Sequence, residues 1–207
     1  MEIVALAGKA RSGKDTAASV LIDNGFNKLS FADELKRITA KVAGHDLEEY
    51  YTDKKDESYE VPLVLTSDFF DSLTTEISFS FPVPYASFVA ITNLAGKTVG
   101  SHRELLQFVG TDVGRDLIDP EIWTTVFANK AEELGRVVTP DARFPNERKL
   151  VNQLGGTNIL IKRPDNEIVE NSHSSENSLG EEGEYDFIIN NNGTIEDLRT
   201  EVIKCFG

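Results

Sequence analysis

The chain begins with a hydrophobic run that stops abruptly at a glycine. Residues 3–7 are apolar without interruption, as is typical of a strand buried on both faces. Small and polar residues fill most of positions 8–16, and apolar residues return with helical spacing between Ala17 and Leu21. This pattern predicts a buried strand, a loop and an amphipathic helix that ends near Asn24 and Gly25.

Apolar runs and helical patterns alternate through much of the remaining chain. The runs that predict further strands are residues 26–31, 136–141, 157–162 and 185–190. Helical spacing or a capping residue predicts helices after Ala32, from Ser101, around Trp123, after Glu147 and from Thr194. Because strands that alternate with helices form parallel sheets, we predict an α/β fold, a central parallel sheet of about five strands with helices on both faces.

Residues 48–100 break this alternation. Tyrosines stand among charged residues at positions 50, 51 and 59, and Pro82 and Pro84 interrupt a run from 77 to 92 that is rich in Phe, Val and Thr. Since proline is excluded from central strands, we predict an inserted lobe of irregular segments or edge-strand hairpins within a single domain of residues 1–207. The aromatic side chains of this lobe could stack on a nucleobase or form its own core, and residue type leaves both open.

Composition and charge narrow the range of partners. The chain of 207 residues is 40% hydrophobic, enough for a sizeable core, and its net charge of −14 argues against nucleic acid or an anionic membrane as a partner. No run approaches the ~20 apolar residues of a membrane span. The first residues lack the basic region of a signal peptide, so we expect a cytoplasmic protein. The single Cys205 leaves no disulfide or zinc site to form.

The first loop carries a phosphate-binding pattern. Gly8, Gly13 and Lys14 fit Gly-x-x-x-x-Gly-Lys, placed between a predicted strand and a predicted helix. Glycines let successive backbone N–H groups turn around an anion at the helix N-terminus, and the lysine supplies a positive charge to the β- and γ-phosphates. The next position, usually a Ser or Thr whose hydroxyl meets Mg²⁺, is Asp15, followed by Thr16. The sequence leaves open which of these two serves the metal.

Ligands of open parallel sheets bind at the carboxyl ends of the strands. This rule groups residues 8–16 with Asp33, residues 141–147, Arg163 and residues 190–193 around one cleft, although they are far apart in the sequence. Their shared position at strand ends predicts one composite site.

Five segments together resemble the phage-type deoxynucleoside monophosphate kinases, in the order seen in that family. They are residues 8–16, 30–36, 105–111 with Arg115 and Trp123, 141–147, and 173–176. The resemblance runs from Ile3 to Leu198 and is weakest across 48–100. It implies a P-loop kinase fold, with 48–100 as a substrate-binding lobe and a lid-like segment at about 163–184.

The resemblance also implies an activity, the Mg²⁺-dependent transfer of the γ-phosphoryl of ATP to a deoxynucleoside monophosphate. The implied ATP-binding residues are Gly8, Arg11, Ser12, Gly13, Lys14, Asp15, Thr16 and Asn190. The implied catalytic residues are Lys14, Asp15, Thr16, Arg103 and Arg115, with Asp15 and Thr16 as the metal ligands. Phosphoryl transfer relies on positioning and charge neutralisation, so no obligatory general base is assigned.

The acceptor nucleotide is assigned a second set of residues. The resemblance points to Arg103, Thr111, Arg115, Trp123, Asp141, Arg143 and Glu147. Lys36 joins this set if its helix starts at the carboxyl end of a strand, and a solvated helix face is the alternative for Lys36. Arginine suits bidentate phosphate binding, tryptophan can stack on a base, and carboxylates can accept hydrogen bonds from sugar or base. Structural alternatives stay open: Trp123 as a core residue, Arg143 and Glu147 as a pair at a helix start, and Asp141 as an outer-sphere metal ligand.

Two other functions remain compatible with the sequence. A different small-molecule P-loop kinase, such as a dephospho-coenzyme A kinase, would share the loop and the last strand. A regulatory module that binds ATP without transferring it is the second alternative. The oligomeric state is left open, a homodimer included.

Overall fold

The computed structural model describes residues 1–9, 11–142, 144–163 and 179–205. The chain divides into two compact units: unit 1 combines residues 1–31 with the chain from 127 onward, and unit 2 contains residues 32–126. The insertion predicted at 48–100 lies within unit 2. Each unit has its own buried core.

Unit 1 is built on one five-stranded sheet with the order β2-β5-β1-β6-β7. Its strands are β1 (Glu2–Ala7), β2 (Asn27–Lys28), β5 (Arg136–Thr139), β6 (Thr157–Lys162) and β7 (Phe187–Asn190). All the pairings are parallel, and β1 lies in the middle, with Ala5 opposite Thr139 of β5 and Ala7 opposite Leu160 of β6. The uninterrupted apolar run of β1 is explained by this central position.

Helices cover both faces of this sheet, because successive side chains of β1 point to opposite sides. Val4 and Leu6 share a core with α1 (Lys14–Asp23) and α8 (Ile195–Lys204). Ile3 and Ala5 share another core with α7 (Pro145–Gln153) and with the part of α6 (Ile122–Leu134) that starts at Phe127. The predicted α/β class, with a parallel sheet between two helical layers, is confirmed.

Unit 2 is mainly helical. Its elements are α2 (Asp33–Ala43), 3-10 turns at Leu47–Tyr50 and Asp53–Asp56, β3 (Ser58–Val64), α3 (Ser67–Ser78), α4 (Tyr85–Thr92), β4 (Thr98–Ser101), α5 (His102–Gln107) and a π-helical segment, Phe108–Ile118. Strands β3 and β4 pair antiparallel. The core includes Phe70, Leu73, Ile91 and Leu105, none of which is measurably exposed.

The hairpins expected between residues 77 and 92 are absent from this described region, and that prediction was wrong. Pro82 and Pro84 lie instead in the connection between α3 and α4, where Pro84 is the N-cap of α4. Proline favours helix starts as well as turns, since its fixed φ suits the first turn and its missing N–H has no partner there. Among the described residues, no helix has the length and apolar character to cross a membrane.

Candidate active site

The predicted phosphate loop follows the carboxyl end of β1 and leads into α1. Gly8 and Gly13 have φ values of 151° and 104°, which side chains rarely allow. A Cβ on Gly8 would also collide with the carbonyl oxygen of Ile161, and one on Gly13 would lie 2.6 Å from Nδ2 of Asn191. Both glycines are therefore required by backbone conformation and by space. Arg11 adopts a positive φ of 61° as well, a conformation that costs energy and is common at binding loops.

The polar groups of the loop are arranged around the start of α1. Gly13 is the N-cap of this helix and forms no side-chain cap hydrogen bond. The ammonium of Lys14 donates to the carbonyl oxygen of Lys9 at 2.8 Å. Asp15 is exposed and Thr16 half-buried in the first turn. Ser12 is 1% exposed, and within the described part of the chain its buried Oγ has no hydrogen-bond partner.

The turn after β7 contacts this loop through Asn191, which the sequence placed near the cleft only as part of residues 190–193. Asn190, the predicted ATP contact, ends β7 and is exposed. The next residue, Asn191, is buried, and its Nδ2 donates to the carbonyl oxygen of Ser12 at 2.9 Å. Strand alternation was the available signal, since Asn191 continues the buried side of Ile189.

Two of the predicted carboxylates lie in unit 1. Asp141 follows β5, the strand that pairs with β1, and its Oδ1 accepts a hydrogen bond from Thr139 Oγ1 at 2.9 Å. Glu147 is buried in the first turn of α7, where its Oε2 accepts from the backbone N–H of Phe144 at 3.0 Å. Asp141 thus lies at the carboxyl ends of the strands, where the phosphate loop also begins. Glu147 caps helix α7.

Parts of the predicted site lie outside the described residues. They are Arg143, the His173–Glu176 element and most of the lid-like segment at 163–184. Of that segment, Arg163 and residues 179–184 are described, and Arg163 is exposed directly after β6.

The predicted cations of unit 2 are exposed or half-buried. Arg103, in the first turn of α5, forms an ion pair with Asp56, and this hydrogen bond raises the pKa of the guanidinium. Arg115 and its neighbour Thr111 are both exposed on the π-helical segment. Lys36 lies over the ring of Tyr51, with Nζ 3.9 Å from the ring centroid.

Trp123 is a core residue of unit 2. Its side chain is buried, and its indole Nε1 donates to the carbonyl oxygen of Gly110 at 2.8 Å. Gly114 lies against the ring, since a Cβ there would be 2.9 Å from two ring atoms. Trp123 therefore has the core-packing role that the sequence allowed as one alternative. Stacking of Trp123 on a nucleobase stays a prediction.

A cluster of histidine and tyrosine side chains in unit 2 was not predicted. Nδ1 of His45 lies 2.8 Å from the hydroxyl of Tyr50, and Nε2 of His102 lies 3.2 Å from Oε2 of Glu49. The rings of His45 and His102 are in edge contact, with centroids 4.7 Å apart. Burial, and then His102, lower the pKa of His45, and burial raises the pKa of Tyr59 to about 12. The cluster joins the first 3-10 turn to the start of α5.

The chain matches known kinases over nearly its whole length. A family model described as deoxynucleotide monophosphate kinase matches residues 66–202. The chain is 31% identical, over 99% of its length and 96% of the relative, to a putative deoxynucleotide monophosphate kinase of Acanthamoeba polyphaga mimivirus. It is 26% identical to the deoxynucleotide monophosphate kinase of Escherichia phage RB69, with 99% of both chains covered. It is 24% identical to the deoxynucleoside-5′-monophosphate kinase of Escherichia phage T5, with 97% and 94% covered.

Among solved structures, the chain resembles the dephospho-CoA kinase from Campylobacter jejuni. The TM-score is 0.50 at 17% sequence identity, with 99% of this chain and 96% of the other covered. At this identity the likeness shows a shared fold, which agrees with the parallel sheet and loop described above.

Proposed function

The chain belongs to the deoxynucleotide monophosphate kinase family, and on this premise we propose that it transfers the γ-phosphoryl of ATP to a deoxynucleoside 5′-monophosphate. The products are the deoxynucleoside diphosphate and ADP. The observation that carries the proposal is the glycine-bounded loop with Lys14 at the N-terminus of α1, beyond the end of the central strand. Such a loop binds the phosphates of a nucleotide through backbone N–H groups and the lysine.

The proposed mechanism depends on positioning and charge. The backbone N–H groups of residues 13–16 surround the β- and γ-phosphates of ATP, and Lys14 moves from the carbonyl of Lys9 to these oxygens. The acceptor's phosphate oxygen is already a nucleophile, so no side chain has to remove a proton from it. Stabilising the charge on the transferred phosphoryl is then the main task of the protein.

The proposed Mg²⁺ would be held by oxygen donors at the carboxyl edge of the sheet in unit 1, with substrate phosphates supplying further ligands. Asp15 and Thr16 lie in the first turn of α1, and Asp141 follows the strand paired with β1. Carboxylate and hydroxyl oxygens, together with substrate phosphates, are the ligands that Mg²⁺ prefers. When bound, the ion neutralises negative charge on the phosphates.

The acceptor phosphate is proposed to bind to the predicted cations of unit 2, above all Arg103 and Arg115. Both side chains are exposed, and a guanidinium can hold two phosphate oxygens at once. Because Arg103 is paired with Asp56, phosphate binding has to displace or share this carboxylate. The other acceptor residues expected from the sequence, Lys36, Thr111, Trp123, Asp141, Arg143 and Glu147, stay predictions.

Replacing Lys14 by methionine tests the mechanism. The Lys14→Met variant should fold normally and lose phosphoryl transfer by about 10²-fold or more, because a charge next to the transferred group is gone. The matched control is Lys28→Met, at an exposed position of β2. A coupled assay of ADP release with each of the common deoxynucleoside monophosphates gives the readout. Near-normal turnover of Lys14→Met would reject this mechanism.

The same assay with dephospho-coenzyme A added to the acceptors, together with a titration that measures ATP binding, separates the alternatives. Activity on dephospho-coenzyme A alone would favour another small-molecule kinase, and ATP binding without any product would favour a regulatory module.

The homodimer that the sequence leaves open is tested by sedimentation. The cytoplasmic location, that of the host if the chain is phage-encoded, stays a prediction.

A further inference from the structure

Asn191 links the turn between β7 and α8 to the phosphate loop. The residue is only 9% exposed. Its backbone N–H donates to the carbonyl oxygen of Lys162 at 2.7 Å, and its side-chain Nδ2 donates to the carbonyl oxygen of Ser12 at 2.9 Å. Because a carbonyl oxygen only accepts, the amide of Asn191 has one orientation here, with Nδ2 toward the loop.

The contact between Asn191 and the loop is close on a second side. Gly13 has no side chain, and a Cβ there would lie 2.6 Å from Nδ2 of Asn191 and 3.0 Å from a methyl carbon of Leu198 in α8. The side chain of Asn191 therefore takes the space next to Gly13. Gly13, at the end of the loop, has a positive φ of 104°.

The direction of one loop N–H follows from this contact. Ser12 and Gly13 are joined by a trans peptide, in which the carbonyl of the first residue and the N–H of the second point in opposite directions. With the carbonyl of Ser12 held by Asn191, the N–H of Gly13 points away from Asn191, in the opposite direction within the same peptide plane. Gly13 is the N-cap of α1, where N–H groups bind phosphate.

We propose that Asn191 is a positioning residue for ATP, which holds the Ser12 carbonyl so that the Gly13 N–H is aimed at the phosphates. The proposal rests on the phosphate-binding function of the loop. It assigns the residue after β7 a role in orienting the phosphate site. Asn191 does not itself have to touch the nucleotide.

The test compares variants of Asn191 with a matched control. Asn191→Leu keeps the approximate size but removes the donor, and Asn191→Asp keeps the shape but turns an acceptor toward the Ser12 carbonyl. Both should raise the KM for ATP by about ten- to hundredfold, since a misdirected loop N–H no longer meets its phosphate. The KM for the deoxynucleoside monophosphate should change much less. Asn129→Asp, which adds the same charge on the exposed surface of α6, should behave as wild type.

A spectroscopic readout separates orientation from general damage. In ¹⁵N-labelled protein, ATP should shift the Gly13 amide signal strongly in the wild type and weakly in Asn191→Leu. If Asn191→Leu fails to fold, Asn191→Ala carries the same expectation, because it only removes atoms. A folded variant with an unchanged KM for ATP and an unchanged Gly13 response would overturn the proposal.

Calorimetric titration with ATP alone distinguishes this proposal from the proposed function. Wild type that binds ATP but phosphorylates no monophosphate would reject the kinase function and still allow Asn191 to be tested by ATP affinity. Wild type that does not bind ATP would reject both.

Discussion

Gly13 is constrained both by its own backbone and by its neighbour Asn191, and these two effects can be measured separately. Gly13→Ala should lower the free energy of unfolding by about 1–3 kcal/mol more than Gly135→Ala, because both replacements suffer at positive φ but only the first is overpacked. Gly135 belongs to the same unit, has a φ of 75° and has open space around it. Denaturant unfolding of the three proteins gives the comparison.

If both alanine variants lose the same free energy of unfolding, the side chain of Asn191 can move away from a Cβ on Gly13 without an energetic cost. The kinase assay adds a second readout. Gly13→Ala should also raise the KM for ATP, whereas Gly135→Ala, which follows α6, should leave it near the wild-type value.

The lowered pKa of His45 predicts how the stability of the protein depends on pH. Burial, reinforced by His102, lowers its pKa below the usual 6.5, while Glu49 acts more weakly in the opposite direction. The folded protein therefore keeps His45 neutral where the unfolded chain binds a proton. The contribution of neutral His45 to the free energy of unfolding is fully present above about pH 6.5. It decreases as the pH falls toward the lowered pKa.

The neutral variant His45→Gln isolates this contribution. Between about pH 7.5 and pH 5.5, the wild type should lose more unfolding free energy than the variant, because only the wild type has this histidine to protonate on unfolding. Thermal or denaturant unfolding at several pH values provides the data. Parallel pH profiles would contradict the assignment.

At the scale of elements, a buried arginine ties helix α7 to the connection between β6 and β7. Arg148 has a side chain that is 3% exposed, and its Nη2 donates to Oε2 of Glu184 at 2.5 Å. The guanidinium also lies over Tyr185, 5.2 Å from the ring centroid. The hydrogen bond from Arg148 is the main reason that the pKa of Glu184 is lowered.

Arg148→Lys should destabilise the protein by about 1–3 kcal/mol, because an ammonium cannot reproduce the planar fork of donors in a buried position. Glu184→Gln should cost less, since Glu184 is 47% exposed in its side chain. The lowered pKa of Glu184 means that its contribution is present above its unfolded pKa and is lost as the pH falls through the folded value. Unfolding curves near neutral and acidic pH check both statements. A larger loss for Glu184→Gln than for Arg148→Lys would be inconsistent with them.

At the scale of the whole molecule, the net charge of −14 predicts a dependence on salt. Like charges repel within a compact chain, and added ions screen this repulsion. Raising the ionic strength from about 0.02 M to about 0.3 M should therefore raise the thermal midpoint by a few degrees. Sodium chloride and choline chloride should have the same effect at equal ionic strength. A midpoint that stays constant or falls would show that self-repulsion does not limit stability.

The sequence by itself determined the features that depend on neighbours along the chain. The apolar run of β1, the glycines at 8 and 13 and the capping threonine of α8 all appear where they were predicted. The same local patterns predicted the parallel sheet and indicated the kinase family, because hydrophobic periodicity and glycine placement can be recognised within short segments of sequence.

Only the tertiary structure decided which distant residues meet. Asn191, not Asn190, holds the loop, Trp123 donates to Gly110 in the core, and the prolines at 82 and 84 join helices instead of edge strands. The cluster of His45, Tyr50, Tyr59 and His102 gathers side chains from four separate segments. Such contacts result from how whole faces of helices and strands pack against each other, and a local pattern shows that a face is apolar without showing its partner.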